Sequence, residues 1–222
     1  MVGIESFLPP FVMQGAKKEI YGFDIDMMNS LCDMIQRTCR YEVMRFDQLL
    51  DAVADRRIEA AVSAITITLD RAKKVSFSLP YMLSYSQFLQ RSKPGNTPFS
   101  LETLNGKRIG IEAGSVFSDQ IISMGVKNTE IKQYGKIDEL LNALSEDQVD
   151  YILLDSPTAT YWAANSSGAF MTIGESYSYG NGLGIAVNKN NTLLLDALND
   201  AILKYQNSDA YKSNYNRYLS HF

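Results

Sequence analysis

The stretch Ala60–Lys74, AAVSAITITLDRAKK, runs from an apolar segment into the charged first turn of a helix. Its apolar part is short, which is typical of a buried strand. Three hydroxyls and a guanidinium follow where this strand ends: Ser63, Thr66, Thr68 and Arg71. In open α/β sheets, ligands bind beyond the carboxyl ends of the strands. The stretch therefore predicts a site for a small anionic group.

Strand-like and helix-like segments alternate along the rest of the chain. The predicted strands are 2–5, 41–44, 58–64, 84–92, 107–114, 131–134, 151–154 and 180–191. The predicted helices are 22–37, 47–55, one that starts in TLDRAKKVSF (Thr68–Phe77), 115–124, 137–145, 156–164, 192–206 and 209–219. Asp47 and Thr68 are the expected N-caps of their helices. This alternation predicts an α/β fold of mainly parallel sheets with right-handed crossovers.

The alternation restarts after KPGNTP (Lys93–Pro98), which we interpret as a loop. Two lobes are therefore predicted, each a mainly parallel sheet flanked by helices. The extended segments Ser86–Arg91 and Gly184–Asn188 are the candidate connections, and two crossings return the last helices to the first lobe. The predicted boundaries are 1–87 with 186–222 for lobe 1 and 88–185 for lobe 2. Two lobes joined by a two-segment hinge enclose a cleft.

Composition limits the class of partner. The 222 residues include 21 basic and 25 acidic side chains, for a net charge of -4. This balance argues against nucleic acid or an anionic membrane surface as the main partner. No stretch approaches the roughly 20 apolar residues of a membrane span. Met1 leads directly into the first strand, so we expect that a secretion leader has been removed.

The two cysteines, Cys32 and Cys39, occur in LCDMIQRTC. Seven residues of continuous helix would separate their Cα atoms by about 10 Å, whereas a disulfide requires less than about 7 Å. The pair can bond only if the helix ends near Arg37 and the chain turns back; otherwise both are buried free thiols. A metal site is not expected, because the only histidine of the sequence is His221, at its far end. No cofactor is expected either.

Charged residues follow strands in both predicted lobes. Arg71 lies in the first turn of a helix, where its planar fork suits a carboxylate and free backbone N–H groups add to the anion site. Asp155 ends the apolar strand YILL and suits an ammonium group, while Glu5 and Glu112 end two further strands. The structural alternative is that Asp155 only caps the following helix and that Arg71, Glu5 and Glu112 are solvated. A carboxylate site at Arg71 and an ammonium site at Asp155 together match the two charged groups of an α-amino acid.

At these residues the chain resembles a known family, the type 2 periplasmic solute-binding proteins of polar amino acid ABC transporters. It is most similar to the arginine binders and the lysine/arginine/ornithine/histidine binders. The resemblance covers almost the whole chain. It rests on PPF (Pro9–Phe11), GFDIDMMNSLC (Gly22–Cys32), ITITLDR (Ile65–Arg71), LNGKRIGIEAGS (Leu104–Ser115), VDYILLD (Val149–Asp155) and GLGIAV (Gly182–Val187).

The resemblance implies a set of ligand-binding residues. They are Glu5, Leu8, Phe46, Ser63, Ala64, Thr66, Arg71, Glu112, Gly114, Val116, Phe117 and Asp155. Arg71 would bind the ligand carboxylate with the main chain of Thr66, and Asp155 would pair with the ammonium. Phe46 would cover the ligand side chain, and Glu5 would meet its cationic tip.

Two positions depart from the family pattern. Leu8 stands where these binders usually carry an aromatic residue, so apolar contact is kept but cation–π attraction is lost. Glu112 stands where relatives often have a neutral residue or, in the glutamine binder, a lysine. Two acids near the distal end of the pocket, Glu5 and Glu112, would favour a cation and repel an acidic side chain. Arginine is the expected ligand, because its five donors can satisfy two carboxylates better than an ammonium can.

The resemblance implies further properties of the protein. Cys32 and Cys39 match the disulfide of the family, which implies an oxidising periplasm. The expected partners are the amino acid and the membrane permease of an ABC transporter, and a monomer is expected. Alternatives on the same fold are a binder of lysine, ornithine, histidine or glutamine, the sensing domain of a larger receptor, and a periplasmic dehydratase. We expect no enzyme, because the candidate acids are accounted for by binding.

Overall fold

The computed structural model describes residues 1–93 and 98–220, so most of the predicted loop at 93–98 lies outside the described residues. The strands, in chain order, are β1 (Val2–Ile4), β2 (Met13–Gln14), β3 (Ile20–Tyr21), β4 (Tyr41–Val43), β5 (Ala60–Ala61), β6 (Ser76–Phe77), β7 (Tyr85–Arg91), β8 (Arg108–Glu112), β9 (Glu130–Tyr134), β10 (Tyr151–Asp155), β11 (Phe170–Ser178) and β12 (Ala186–Val187). The α-helices are α1 (Phe23–Met34), α2 (Phe46–Ala54), α3 (Leu69–Ala72), α4 (Phe117–Ser123), α5 (Ile137–Ser145), α6 (Ser156–Asn165), α7 (Thr192–Gln206) and α8 (Asp209–Tyr218).

The chain forms two compact units. Unit 1 comprises Met1–Ser84 and the chain from Gly180 to the end of the described residues, and unit 2 comprises Tyr85–Tyr179. The chain therefore passes between the units twice, and α7 and α8 belong to unit 1. The lobe boundaries drawn from the sequence, at 87/88 and 185/186, stay predictions.

Unit 1 is built on a five-stranded sheet in the order β4-β1-β5-β12-β6. Strands β4, β1 and β5 are parallel, whereas β12 is antiparallel to β5 and to β6. Four of the five strands thus point the same way, as the α/β alternation predicts. The parallel arrangement brings the carboxyl ends of β4, β1 and β5 to one edge of the sheet.

Unit 2 repeats this plan in a sheet of order β11-β7-β10-β8-β9. Strands β10, β8 and β9 are parallel, and β7 is antiparallel to both of its neighbours, β10 and β11. Again four of five strands share one direction. The prediction of two mainly parallel sheets flanked by helices is confirmed.

Each sheet buries its own apolar cluster. In unit 1 the cluster consists of Leu49, Ala52, Val53, Ile58, Ala61, Ile65, Val75 and Ala186. In unit 2 it consists of Phe88, Leu104, Ile109, Ile111, Phe117, Ile121 and Leu153. Burial of a large aliphatic or aromatic side chain contributes about 1.5–3 kcal/mol, so these clusters hold helices on the sheets that carry the candidate site residues.

The starts of two helices test the predicted caps. Thr68 caps α3 as predicted, because its hydroxyl accepts the N–H of Arg71 at 3.2 Å. The predicted cap Asp47 is wrong. Helix α2 starts one residue earlier, with Arg45 at the N-cap position, and Asp47 lies in the first turn. Its carboxylate accepts hydrogen bonds from the Arg45 guanidinium at 2.6 and 3.1 Å instead.

The two cysteines form a disulfide, Cys32–Cys39, with their Cα atoms 5.9 Å apart. The spacing is reached because α1 ends at Met34, earlier than predicted, and Gln36 adopts a left-handed φ of 56°. The chain then turns back into β4. The free-thiol alternative is therefore excluded, and the pairing implied by the family resemblance is confirmed.

A helix that crosses a membrane needs about 20 mainly apolar residues. Within residues 1–93 and 98–220, no helix is long and apolar enough to span a bilayer.

Candidate functional site

The carboxyl ends of the parallel strands in unit 1 carry three of the predicted residues. Glu5 follows β1, Ser63 follows β5, and Phe46 follows β4 as the first residue of α2. Because β1 lies between β4 and β5, these residues share one edge of the sheet. The backbone N–H of Glu5 donates to the Ser63 hydroxyl at 2.8 Å. Glu5 is 3% exposed and Ser63 is fully buried.

The segment after β5 is bent at Ala64, whose φ is 45°. An L-residue in this left-handed region is strained by roughly 1–2 kcal/mol. The bend is stabilised by the carboxylate of Asp24, which accepts the Ala64 N–H at 2.8 Å. The Tyr81 hydroxyl donates to the same carboxylate oxygen at 3.1 Å. Burial raises the pKa of Asp24 from 3.8 to about 7, although both hydrogen bonds lower it.

Arg71 is held at the start of α3 by two further predicted residues. Its guanidinium donates from Nη1 to the Thr66 carbonyl at 2.8 Å. Its Cζ lies 5.4 Å from the centroid of the Phe46 ring, within the range of a cation–π interaction. The Thr66 hydroxyl lies 3.1 Å from that of Ser84. The guanidinium fork is thereby oriented, which suits bidentate binding of a carboxylate.

Leu8 begins a tight turn in which the chain reverses before β2. Its N–H donates to the Val12 carbonyl at 2.8 Å, and its carbonyl accepts the N–H groups of Phe11 and Val12 at 2.8 and 2.9 Å. Leu8 is only 2% exposed. A branched aliphatic side chain thus occupies the position at which the resemblance implies an aromatic ring.

In unit 2 the predicted acids Glu112 and Asp155 are the last residues of β8 and β10. These strands are neighbours and parallel, so both acids lie at one edge of the sheet. Glu112 is 4% exposed and Asp155 is half-buried. Asp155 also occupies the N-cap position of α6, but no side-chain cap hydrogen bond is formed there within the described residues. A simple capping role does not account for it.

A turn follows Glu112 and leads into α4. Both the N–H and the hydroxyl of Ser115 donate to the Glu112 carbonyl, at 3.2 and 2.6 Å. Gly114 has a φ of 79°, a left-handed value that favours glycine. Val116 is the N-cap residue of α4, and Phe117, its first residue, is 6% exposed in the apolar cluster of unit 2.

The predicted residues therefore form one group in each unit. Glu5 with Ser63, and Phe46 and Thr66 with Arg71, are in direct contact. Leu8, also in unit 1, is buried at 2% exposure. The ligand-binding roles of all twelve residues stay predictions.

Sequence reasoning missed Asp24, Tyr81 and Ser84. Asp24 contacts Ala64 and Tyr81, and Ser84 contacts Thr66. One signal was present for Asp24. It stands four residues before Met28 and seven before Leu31, so it shares the buried face of α1 although it is charged. Tyr81 and Ser84 lie in irregular chain, where periodicity carries no information. Within the described residues, no cluster of three or more His, Cys, Asp and Glu side chains could hold a metal ion.

Comparison with known proteins defines the class. Residues 1–221 match the model of the family described as bacterial extracellular solute-binding proteins, family 3. The chain belongs to this family, which confirms the resemblance stated from the motifs.

Its relatives include several arginine binders. ABC transporter arginine-binding protein 1 of Escherichia coli strain K12 is 30% identical, over 95% of this chain and 86% of that protein. An arginine 3rd transport system periplasmic binding protein from Legionella pneumophila superposes with a TM-score of 0.92 at 32% identity, over 98% of both chains. An ancestral arginine-binding protein bound to glutamine superposes at 0.88 with 28% identity, over 99% of this chain and 97% of that one. The first two of these proteins are named as components of transporters, and the third is named as an arginine-binding protein.

Proposed function

We propose that this chain is the periplasmic substrate-binding component of an amino acid ABC transporter and that its ligand is L-arginine. In this proposal the amino acid binds a monomer, two lobes close on it about a two-segment hinge, and a membrane permease receives it. Family membership and the arginine binders among the relatives support this assignment.

The observation that carries the proposal is the charge at the carboxyl ends of the strands in the two units. Arg71, oriented by Thr66 and Phe46, suits an α-carboxylate, and Asp155 suits an α-ammonium. Two further acids, Glu5 and Glu112, stand at strand ends and are 3% and 4% exposed. An amino acid with a cationic side chain would bring these charges together, whereas an acidic one would be repelled.

Arginine fits the two acids better than lysine does. Its guanidinium offers five N–H donors in a planar fork, whereas an ammonium offers three donors at one point. Leu8 lacks an aromatic face, so it offers the guanidinium apolar contact without cation–π attraction.

Glutamine is the second candidate. A related ancestral protein is described both as arginine-binding and as bound to glutamine, so the two ligands can be accommodated by closely similar folds. Glutamine would leave the acidic pair without a cation, and we expect it to bind more weakly for that reason.

The proposal is tested by isothermal titration calorimetry on protein from which ligand has been removed by unfolding and refolding. The panel consists of arginine, lysine, ornithine, histidine, glutamine and glutamate. We expect arginine to bind with a micromolar or lower Kd and more tightly than each of the other five amino acids. If glutamine or another neutral amino acid binds best, the assignment of arginine is wrong. If none binds, the transport proposal itself fails.

A charge-neutral variant checks why arginine is preferred. Glu112→Gln keeps the shape of the side chain and removes its charge. We expect it to lower the affinity for arginine at least about tenfold, since one partner of a buried charge pair is lost, and to leave glutamine unchanged or improved. Glu146→Gln, on the exposed end of α5 in the same unit, is the matched control.

A further inference from the structure

Asp24 is a buried acid that none of the proposed ligand contacts uses. It lies in the first turn of α1 and is 0% exposed. Its Oδ2 accepts both the Ala64 N–H and the Tyr81 hydroxyl, at 2.8 and 3.1 Å. Within the described residues, Oδ1 has no hydrogen-bond partner. Burying a carboxylate costs free energy unless hydrogen bonds compensate for the lost water. The two hydrogen bonds to Oδ2 are therefore the contacts through which Asp24 can act.

The position of this carboxylate is fixed by the start of α1. The N–H groups of Phe23 and Asp24 donate to the carbonyls of Pro10 and Phe11, both at 3.0 Å. Gly22 precedes them with a φ of 134°, and a Cβ there would collide with the Phe11 carbonyl. These hydrogen bonds join PPF (Pro9–Phe11) to GFD (Gly22–Asp24). They hold Asp24 in place if the chain that it contacts moves.

The chain that it contacts is the bend at Ala64. The strained φ of 45° there turns the segment between Ser63 and Thr66. Ser63 accepts the N–H of Glu5, and the Thr66 carbonyl accepts the guanidinium of Arg71. A change at the bend would therefore move the partners of two proposed ligand-binding residues at once.

We propose that Asp24 is a positioning residue for the head group of the bound amino acid: by holding the N–H of Ala64, it keeps the segment Ser63–Thr66 in the conformation that binds the ligand. This inference deepens the proposed function and rests on it. Asp24 does not contact the ligand and acts through the backbone of Ala64.

Three variants test the inference. Asp24→Ala removes the acceptor. Asp24→Asn keeps an acceptor. Its amide oxygen can take the place of Oδ2 and accept from the Ala64 N–H and the Tyr81 hydroxyl, and its NH₂ group then takes the place of Oδ1. Asp26→Ala is the matched control, since Asp26 is in the same turn and accepts a tyrosine hydroxyl, that of Tyr218 at 3.0 Å, at a distance from the bend.

The first readout is the affinity for arginine, with the melting temperature measured on the same samples. We expect Asp24→Ala to weaken binding about tenfold, the effect of leaving a buried backbone donor unsatisfied. Asp24→Asn should stay within about threefold of the wild type, and so should Asp26→Ala even where its melting temperature falls. A role in stability alone would lower affinity equally in the two alanine variants.

The second readout is amide hydrogen exchange of Ala64 in the ligand-free protein, followed by NMR. We expect exchange to be at least about tenfold faster in Asp24→Ala and nearly unchanged in Asp24→Asn and Asp26→Ala. Unchanged exchange in Asp24→Ala, or an equal loss of affinity in Asp26→Ala, would overturn the inference. If the wild type binds no amino acid, the proposed function fails instead, and the exchange comparison alone decides whether Asp24 holds Ala64.

Discussion

Asp24 makes the stability of the ligand-free protein depend on pH. Its pKa is 3.8 in the unfolded chain and about 7 in the fold, so the folded state binds more protons between these values. The stabilisation from the protonated form is fully present below about pH 4 and is lost as pH rises through about 7. We expect the free energy of unfolding of Asp24→Asn to exceed that of the wild type by an amount that grows across this range.

Urea unfolding of both proteins at intervals from about pH 4 to about pH 8 measures this difference. Taking the difference between the two proteins cancels the titration of the acids that they share. The matched control is Asp26→Asn, which neutralises an acid of the same helical turn. A difference that stays constant with pH would mean that Asp24 does not titrate in this interval.

The half-buried Asp155 is expected to contribute directly to binding. Asp155→Ala should weaken arginine binding by at least about 2 kcal/mol, because the ligand ammonium would lose its charged partner. Calorimetry on Asp155→Ala and on Asp138→Ala, an exposed acid in the first turn of α5, separates this from a general charge effect. Equal affinity in the two variants would remove Asp155 from the site.

Helix α3 is short and has a side-chain cap. It spans only Leu69–Ala72, and Thr68 satisfies the N–H of Arg71. Thr68→Ala should lower the free energy of unfolding by about 1 kcal/mol and also weaken arginine binding, because the backbone of Arg71 is released. Thr68→Ser retains the hydroxyl and should restore both values. A stability loss without any change in affinity would show that Arg71 is oriented independently of the Thr68 cap.

The sequence was informative where elements are long. Helices α5 and α7 begin and end at the predicted residues, because several turns of amphipathic pattern outweigh local ambiguity. The two-residue strands β2, β3 and β6 were missed, whereas β5 and β12, equally short, lie within longer strand-like segments that were predicted. Strand β11 was missed for another reason: it is a half-exposed edge strand whose register shifts between Ile173 and Tyr177, which breaks the alternation.

In the candidate site, too, some features could be predicted from the sequence and others could not. Arg71 and Thr68 were predictable because a cap and a helix start have local sequence signals. The tertiary contacts were not predictable, since Ala64 and Asp24 are forty residues apart and meet only through the packing of α1. A left-handed alanine has no sequence signature, whereas Gly114 at a similar φ is the residue expected there.

At the scale of the whole molecule, ligand binding should be visible as stability. An amino acid that binds only the folded state at about 100 times its Kd adds about 2.7 kcal/mol. We expect arginine to raise the melting temperature at this concentration and glutamate at the same concentration to leave it unchanged. Scanning fluorimetry on ligand-stripped protein measures both. Equal shifts with the two amino acids would contradict selection by Glu5 and Glu112.

The pairing of chain ends at the boundary of the two units has a consequence for evolution and engineering. Tyr85 and Ser178, near the two ends of unit 2, are partners in the ladder between β7 and β11. In unit 1, Met82 and Leu183 are likewise bridged. Unit 2 is thus a cassette inserted at one point of a continuous host fold. We expect that unit 2 can be exchanged with that of a homologue, because each flanking strand contact lies within a single unit.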